Sequence, residues 1–403
     1  MSERHSDAPE PQNAASVPRF QRFQWGSLAL AAVGAGLCWL GFETAPGQFF
    51  RSYLLAWLFW VGLSLGCLSL IMLHHLTGGA WGALLLRLLE AGARLLPCLA
   101  LAGLPLLWNL EALYSWARPA SVAADPLLQH KALYLNETFF TQRAAGYFLV
   151  WSVLALLLPY WARRLDRHTD PTVTRVLRRR LQLWSAGGLV LHALAVTFAA
   201  IDWLMSLEPV WYSTIYGVLW LTGHLVQTMA GAIIMATLLA TVEPFARFAR
   251  PQIAHDLGNL LLAFVMLWTY ISFAQFLIIW SANLPEEIPW YLARTQGGWE
   301  WLAIALVLFH FLVPFLVLLS RQAKRRLPTL ALVAGMLLVM QALHLCWLVI
   351  PAFHPGALTL HWLDPLSLLS LGALWYTLYL LQVRHRPLVP ANDLRLQKVA
   401  LHE

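Results

Sequence analysis

The residues best suited to chemistry lie in one stretch, Ile201 to Gly217, which reads IDWLMSLEPVWYSTIYG. Two carboxylic acids, Asp202 and Glu208, stand there among Trp203, Trp211, Tyr212 and Tyr216. One long apolar run ends on the stretch and another starts from it. Acids at the lip of a hydrocarbon slab are costly, so their presence suggests a task. The competing reading is a wet connecting loop whose acids face water.

Histidine gives a second signal. His192, His224, His310 and His344 fall near the middle of four different apolar runs. Four buried imidazoles raise the question of b-type haem. Bis-histidine sites for two haems usually repeat on the same two helices, whereas here each run carries one histidine. Hydrogen-bonded positions inside a bundle, or steps in a proton path, fit the pattern better. Tyr212, Tyr216, Trp220, His224 and Thr228 recur at i+4 steps and predict one aromatic and polar ridge on a helix. Thr269, Ser272 and Gln275 make a polar stripe on the next run, and Gln341 and His344 share a face further on. Lipid cannot satisfy such groups, so they must look at protein, water or a ligand. Contacts between helices account for them as readily as a ligand does. His75, in HHLTGGAWG, and Asp256, in HDLGN, cap the opposite ends of their runs. Asp256 also suits the first turn of a helix, where the dipole favours an acid.

The elements that must position these groups are membrane-spanning helices. The chain has 403 residues, 59% hydrophobic and 12% charged, which is too apolar for a soluble domain of this length. Apolar runs of eighteen or more residues predict ten spans, near 24–42, 52–73, 95–113, 142–162, 182–202, 212–240, 257–281, 298–320, 329–350 and 363–383. The fold expected is all-α, with a polar tail at 1–23, a ten-helix domain at 24–383 and a second tail at 384–403. No alternating ten-residue pattern supports a β-barrel. The first 23 residues lack the basic start and cleavage site of a signal peptide, so the first span is expected to remain.

All but five of the 27 lysines and arginines fall on the side that holds the N-terminus, including the blocks Arg163 to Arg180 and Arg321 to Arg326. That bias predicts both termini in the cytoplasm. It also gives the net charge of +7 a topological origin, not a nucleic-acid one. Gly78 to Leu96 places Arg87, Glu90 and Arg94 at i+3 and i+4 spacing among leucines, which predicts an amphipathic helix on the cytoplasmic surface. Tyr114 to Arg143 and Asn283 to Gly298 are the longest outer connections and candidate docking surfaces. The four cysteines lie singly in apolar runs, so no local spacing predicts an iron–sulfur cluster or a disulfide.

Three blocks carry a family resemblance. DWLMSLEPVWYSTIYG and HDLGNLLLAFVMLWTYISFAQFLIIWSANLPEEIPWYLAR are the specific ones; HHLTGGAWGALLLRLLEAGARLLP is weaker. Together they resemble the NrfD/PsrC-type integral subunits of alternative complex III, over most of residues 50–350. The short polar start and the SANLPEEIPWYLAR ending are closer to the ActF-type subunit than to the ActC-type. The resemblance implies two antiparallel four-helix bundles, flanked by one extra helix at each end, in a bacterial inner membrane. It implies a place in a quinol:cytochrome c or quinol:oxidase assembly, beside a sister membrane subunit and outer subunits that carry haem c and iron–sulfur clusters. A terminal oxidase is a further possible partner. The chain contains no C-x-x-C-H, so the redox metals would belong to those partners. Within the family, quinol oxidation is usually associated with the sister subunit. Quinone binding, proton conduction and a purely anchoring role therefore stay open for this chain. The residues expected to serve quinone or protons are His75, His192, Asp202, Glu208, Tyr212, Tyr216, His224, Asp256 and Gln275. On residues alone the rival class is a secondary transporter, for which Pro105 and Pro314 inside the third and eighth spans are the motive.

Overall fold

The computed structural model describes residues 18–168, 170–243, 245–384 and 388–389. The expected tails, 1–23 and 384–403, lie largely outside the described residues. Every regular element described is helical: α1 (Pro18–Thr44), α2 (Pro46–Thr77), α3 (Ala80–Ala93), α4 (Leu96–Leu107), α5 (Leu110–Leu113), α6 (Pro119–Ala124), α7 (Pro126–Lys131), α8 (Glu137–Arg167) and α9 (Pro171–Trp203) come first. They are followed by α10 (Tyr216–Leu239), α11 (Pro251–Ala282), α12 (Ile288–Leu292), α13 (Trp299–Ala305), α14 (Val313–Leu319), α15 (Arg321–Lys324), α16 (Leu327–Val349) and α17 (Leu363–Arg384). Among the described residues nine helices are long and apolar enough to cross a membrane. The architecture is that of a multi-pass membrane protein.

Local chemistry sets the helix starts. Asn136 accepts a hydrogen bond from the Phe139 amide at the head of α8, and Asp170 accepts one from Thr172 at the head of α9. Proline opens α2, α9 and α11, where its missing N–H has no helical partner to lose.

The span expected at 95–113 is not one helix. It divides into α4 and the single turn α5, and the 12 residues of α4 reach about 18 Å, short of the roughly 30 Å of hydrocarbon. Pro105 weakens its end, because proline lacks the N–H that the i−4 carbonyl needs. The segment nonetheless follows α2 backwards. Gly82 lies against His74 and Gly92 against Cys67, the Trp57 indole donates to the Leu99 carbonyl, and the Tyr53 hydroxyl donates to that of Ala102. Preceding it, α3 differs from the surface helix expected at Gly78 to Leu96. Residues Trp81 to Ala93 are buried, and Arg87 is paired inward with Glu90 and with Asp166 of α8. Polar spacing alone could not separate a wet face from one paired inside the bundle.

The eighth span is also irregular. Residues Leu306–Leu312 form a π-helical stretch between α13 and α14. Pro314 explains it: its ring crowds the carbonyl of residue 310 and cannot donate to it, so the ladder widens.

The long helices pack in two groups. In the first, α2, α3, α4, α8 and α9 enclose one another; in the second, α10, α11, α16 and the interrupted helix of 299–319 do so. α1 and α17 pair with each other beside α2. The groups join where α10 packs against α2 and α9. Gly62 and Gly66 bring α2 and α10 so close that a Cβ at Gly66 would stand 2.1 Å from the Thr228 hydroxyl. The close approach lets Thr228 donate to the Leu63 carbonyl and Gln227 to that of Phe59, both at 2.9 Å.

Candidate functional site

Asp202 sits in the last turn of α9, fully buried. Arg143 of α8 reaches it with Nε and Nη2, donating to Oδ2 and Oδ1 at 2.8 and 2.9 Å. The Tyr147 hydroxyl donates to Oδ2 at 2.7 Å. This carboxylate is thus a fully partnered anion, held by a two-pronged charge-assisted contact. Arg143 is held in turn: it donates to the Tyr134 carbonyl, and its guanidinium lies 3.8 Å from the centre of the Tyr134 ring. Outside the spans, burial and then the charge of Asp202 push the Tyr134 phenol up to about 12.

Glu208 repeats the arrangement with a different partner. Arg294, fully buried just after α12, donates through Nη2 to Oε2 at 2.5 Å. The same guanidinium donates to the carbonyls of Trp290, Trp347 and Leu348, and stacks on the Trp290 ring. Trp290 in turn lies flat on Trp211 at 4.5 Å. The two connections expected to be docking surfaces therefore fold back on the acid motif from both sides. From 114–143, Tyr114 donates to the Trp203 carbonyl and Lys131 to that of Pro209. From 283–298 comes the Arg294 clamp. Burial lowers the Lys131 pKa from its ordinary value.

Trp203, next to Asp202, is the hub of an aromatic cluster. Its ring meets Trp57 of α2 at 4.8 Å, Phe148 and Trp151 of α8 at 5.8 and 5.9 Å, and Trp220 of α10 at 6.0 Å. Trp151 continues to His192, and Trp220 to His224 at 4.4 Å. Beside the hub opens a cavity of about 470 Å³ between α2, α4 and α8. Trp57, Trp203, Tyr114 and Phe148 wall its inner side. At its mouth stand Leu101, Leu104 and Leu149, all exposed at the rim. The hydroxyl-bearing residues Thr141 and Ser152 also line it. An apolar chamber of this size with few polar groups, open through exposed leucines, suits a flat ring on a hydrocarbon chain.

The expected site residues separate into distinct places. Asp202, Glu208 and Tyr216 come together around the motif. Tyr212 is 54% exposed and precedes α10, so the ridge expected from it begins at Tyr216. Gln275 is buried and accepts from the Ser213 hydroxyl at 3.4 Å, at the edge of the same region. His192 shares a 2.8 Å hydrogen bond with Ser69 of α2, and His224 packs on Gly62 with both ring nitrogens lacking a partner among the described residues. His75 and Asp256 lie at the arginine-rich end, away from the motif. His75 bonds Ser185 of α9 at 2.9 Å, and Asp256 is exposed.

Three features were not anticipated. The arginine partners lie 59 and 86 positions from their acids, and only one signal marked them: Arg143 and Arg294 are two of the five basic residues on the depleted side. The cavity gathers residues from α2, α4, α8 and the end of α9, and of these only Trp203 stood in the stretch that the sequence singled out. His310, on the π-helical stretch, packs at 3.9 Å on Trp268, which also meets His344 at 5.0 Å, making a second buried cluster in the other helix group.

No protein-family model matches the chain, and no curated protein matches it in sequence.

Proposed function

We propose that this chain is an integral membrane subunit of a quinol-oxidising electron-transfer complex, of the NrfD-like class, and that it receives a quinone in the chamber beside Trp203. The chamber is the observation that carries the reading. It opens among exposed leucines, the route by which an isoprenoid tail enters from lipid, and it ends on the residue next to the buried Asp202. Directly behind that wall Asp202 is clamped by Arg143 and Tyr147. The carboxylate orients and charges the wall through its clamp; electrons pass to haem and iron–sulfur centres in partner subunits.

In this reading the chain crosses a bacterial inner membrane ten times, with both termini in the cytoplasm. The third crossing is the broken run α3–α4–α5. The two helix groups are the two four-helix bundles, and α1 and α17 flank them. The acid-motif end faces outward. Exposed apolar side chains there, Leu133, Val210 and Tyr212 among them, suit the docking of outer redox subunits. The paired state of both acids favours a lock, with any proton path running past the motif and not through its carboxylates.

A secondary transporter is the second reading, and one observation favours it. If ten crossings are divided five and five, the two interrupted helices, the third and the eighth, correspond. They do not converge on one site, however: Pro105 belongs to the helix beside the chamber, and the π-helical stretch faces Trp268 and His344 in the other group. Affinity purification of the tagged chain from its native membrane separates the two. Co-purified c-type haem absorbance and an iron–sulfur resonance support the proposal; a lone oligomer without them supports the transporter.

A further inference from the structure

A second cavity, about 260 Å³, lies at the arginine-rich end, in the angle between the end of α8 and the start of α9. Its floor is the Trp161 ring. Arg164 from α8 and Arg180 from α9 approach that one ring, their guanidinium carbons 5.6 and 5.2 Å from its centre. Two cations from different helices are therefore held on one platform, with neither paired to a carboxylate among the described residues. The nearby acids are occupied elsewhere: Asp166 turns inward to Arg87, and Asp170 accepts from the Thr172 amide of its own helix start. His168 and Thr172 add polar groups to the rim.

The other side of the cavity is apolar. Val173, Val176 and Leu177 line it, and Val176 begins an exposed apolar track along α9 that continues through Leu183, Trp184, Leu191 and Leu194. α8 runs beside it with exposed Tyr160, Leu156 and Val153. The cavity is thus a cationic cup at the top of a hydrocarbon-facing furrow.

The geometry points to a binding site for an anionic phospholipid, with the phosphate between Arg164 and Arg180 and the acyl chains along the α8–α9 furrow. Charge selects an anionic headgroup, since guanidinium forks match phosphate oxygens. Basic pockets between membrane helices at the positively charged surface hold such headgroups. The furrow selects lipid over free phosphate, because only a lipid covers it. The inference rests on the multi-pass architecture and on this cup; it is independent of the quinol reading.

The test uses the full chain, purified in detergent, stripped of lipid and titrated with dioleoyl phosphatidylglycerol or dioleoyl phosphatidylcholine under native mass spectrometry. The wild type retains phosphatidylglycerol under conditions that remove phosphatidylcholine. Arg164→Gln and Arg180→Gln, both at exposed side chains, each weaken phosphatidylglycerol binding about fivefold, and together roughly thirtyfold. Arg175→Gln with Arg178→Gln, on the same helix but outside the cup, leaves binding unchanged, and millimolar inorganic phosphate does not displace the lipid. Equal retention of the two lipids, wild-type affinity in the double variant, or displacement by phosphate would overturn the inference.

Discussion

Asp202 and Arg143 set the residue scale. The buried Asp202 carboxylate accepts two guanidinium hydrogen bonds and one from a phenol, so both of its oxygens are tied into the packed bundle. Removing one partner of such a pair leaves the other charged and unsolvated, at a cost of about 3–5 kcal/mol. Arg143→Ala should therefore abolish stable assembly, seen as loss of a monodisperse peak in detergent gel filtration. Asp202→Asn keeps the shape and part of the hydrogen bonding, so it should assemble with a lowered melting temperature. Replacing both residues by leucine should recover part of the loss. If Arg143→Ala is as stable as the wild type, the clamp is not structural. The sequence pointed to both acids, because carboxylates at the edge of an apolar run are conspicuous. It did not point to their arginines, since pairing across 59 or 86 residues is a property of the packed bundle. Nor did it separate Tyr212 from Tyr216. Their i+4 spacing is helical only if the helix already exists at Tyr212, and it starts at Tyr216.

At the scale of elements, two contacts make distinct predictions. The α2–α10 crossing depends on Gly66, where a Cβ would also lie 2.4 Å from the His224 carbonyl. Gly66→Val should force the helices apart and destabilise by about 1–3 kcal/mol. Gly335→Ala, with open space around its Cβ position, should have no such effect. Thermal unfolding of the two variants in detergent decides this. The turn between α16 and α17 carries a pH dependence. Arg51 approaches His354 Nε2 at 3.3 Å, and the pKa of His354 is lowered from the ordinary 6.5, first by burial and then by the Arg51 charge. A depressed imidazole is stabilising while neutral: its contribution is present above 6.5 and is lost as pH falls through the folded value. Protection of residues 350–358 against hydrogen exchange, relative to the intrinsic amide rate at each pH, should be lower at about pH 5 than at pH 7.5, and His354→Gln should flatten that difference. Helix class was readable from apolar runs alone. Pro105 was visible inside the third run, but hydropathy alone did not show that the run divides into α4 and α5, because proline changes the backbone without making the run less apolar. The buried face of α3 was hidden for a related reason, as Asp166, the acid that pairs with Arg87, arrives from α8.

For the whole molecule, the proposed ten crossings would put both termini on one side. A reporter fused after Glu403 should behave as cytoplasmic; a periplasmic signal there would remove one crossing and make α3–α4–α5 a segment that enters and leaves on one side. In the proposed orientation the chamber beside Trp203 would lie near the outer surface and the Arg164–Arg180 cup near the inner one, so one molecule would meet quinol and anionic lipid at opposite faces. The claim that most needs testing is that quinone enters that chamber. Photolabelling the intact purified complex with an azidoquinone tests it most directly. Label should appear on peptides of 97–107 and 140–152 of this chain and be competed by excess quinol. It should disappear in Gly103→Trp, where even a Cβ would lie 2.8 Å from the Trp57 ring and a full indole would displace that wall of the chamber. Specific label confined to partner subunits, or label on this chain that Gly103→Trp leaves untouched, would contradict the account.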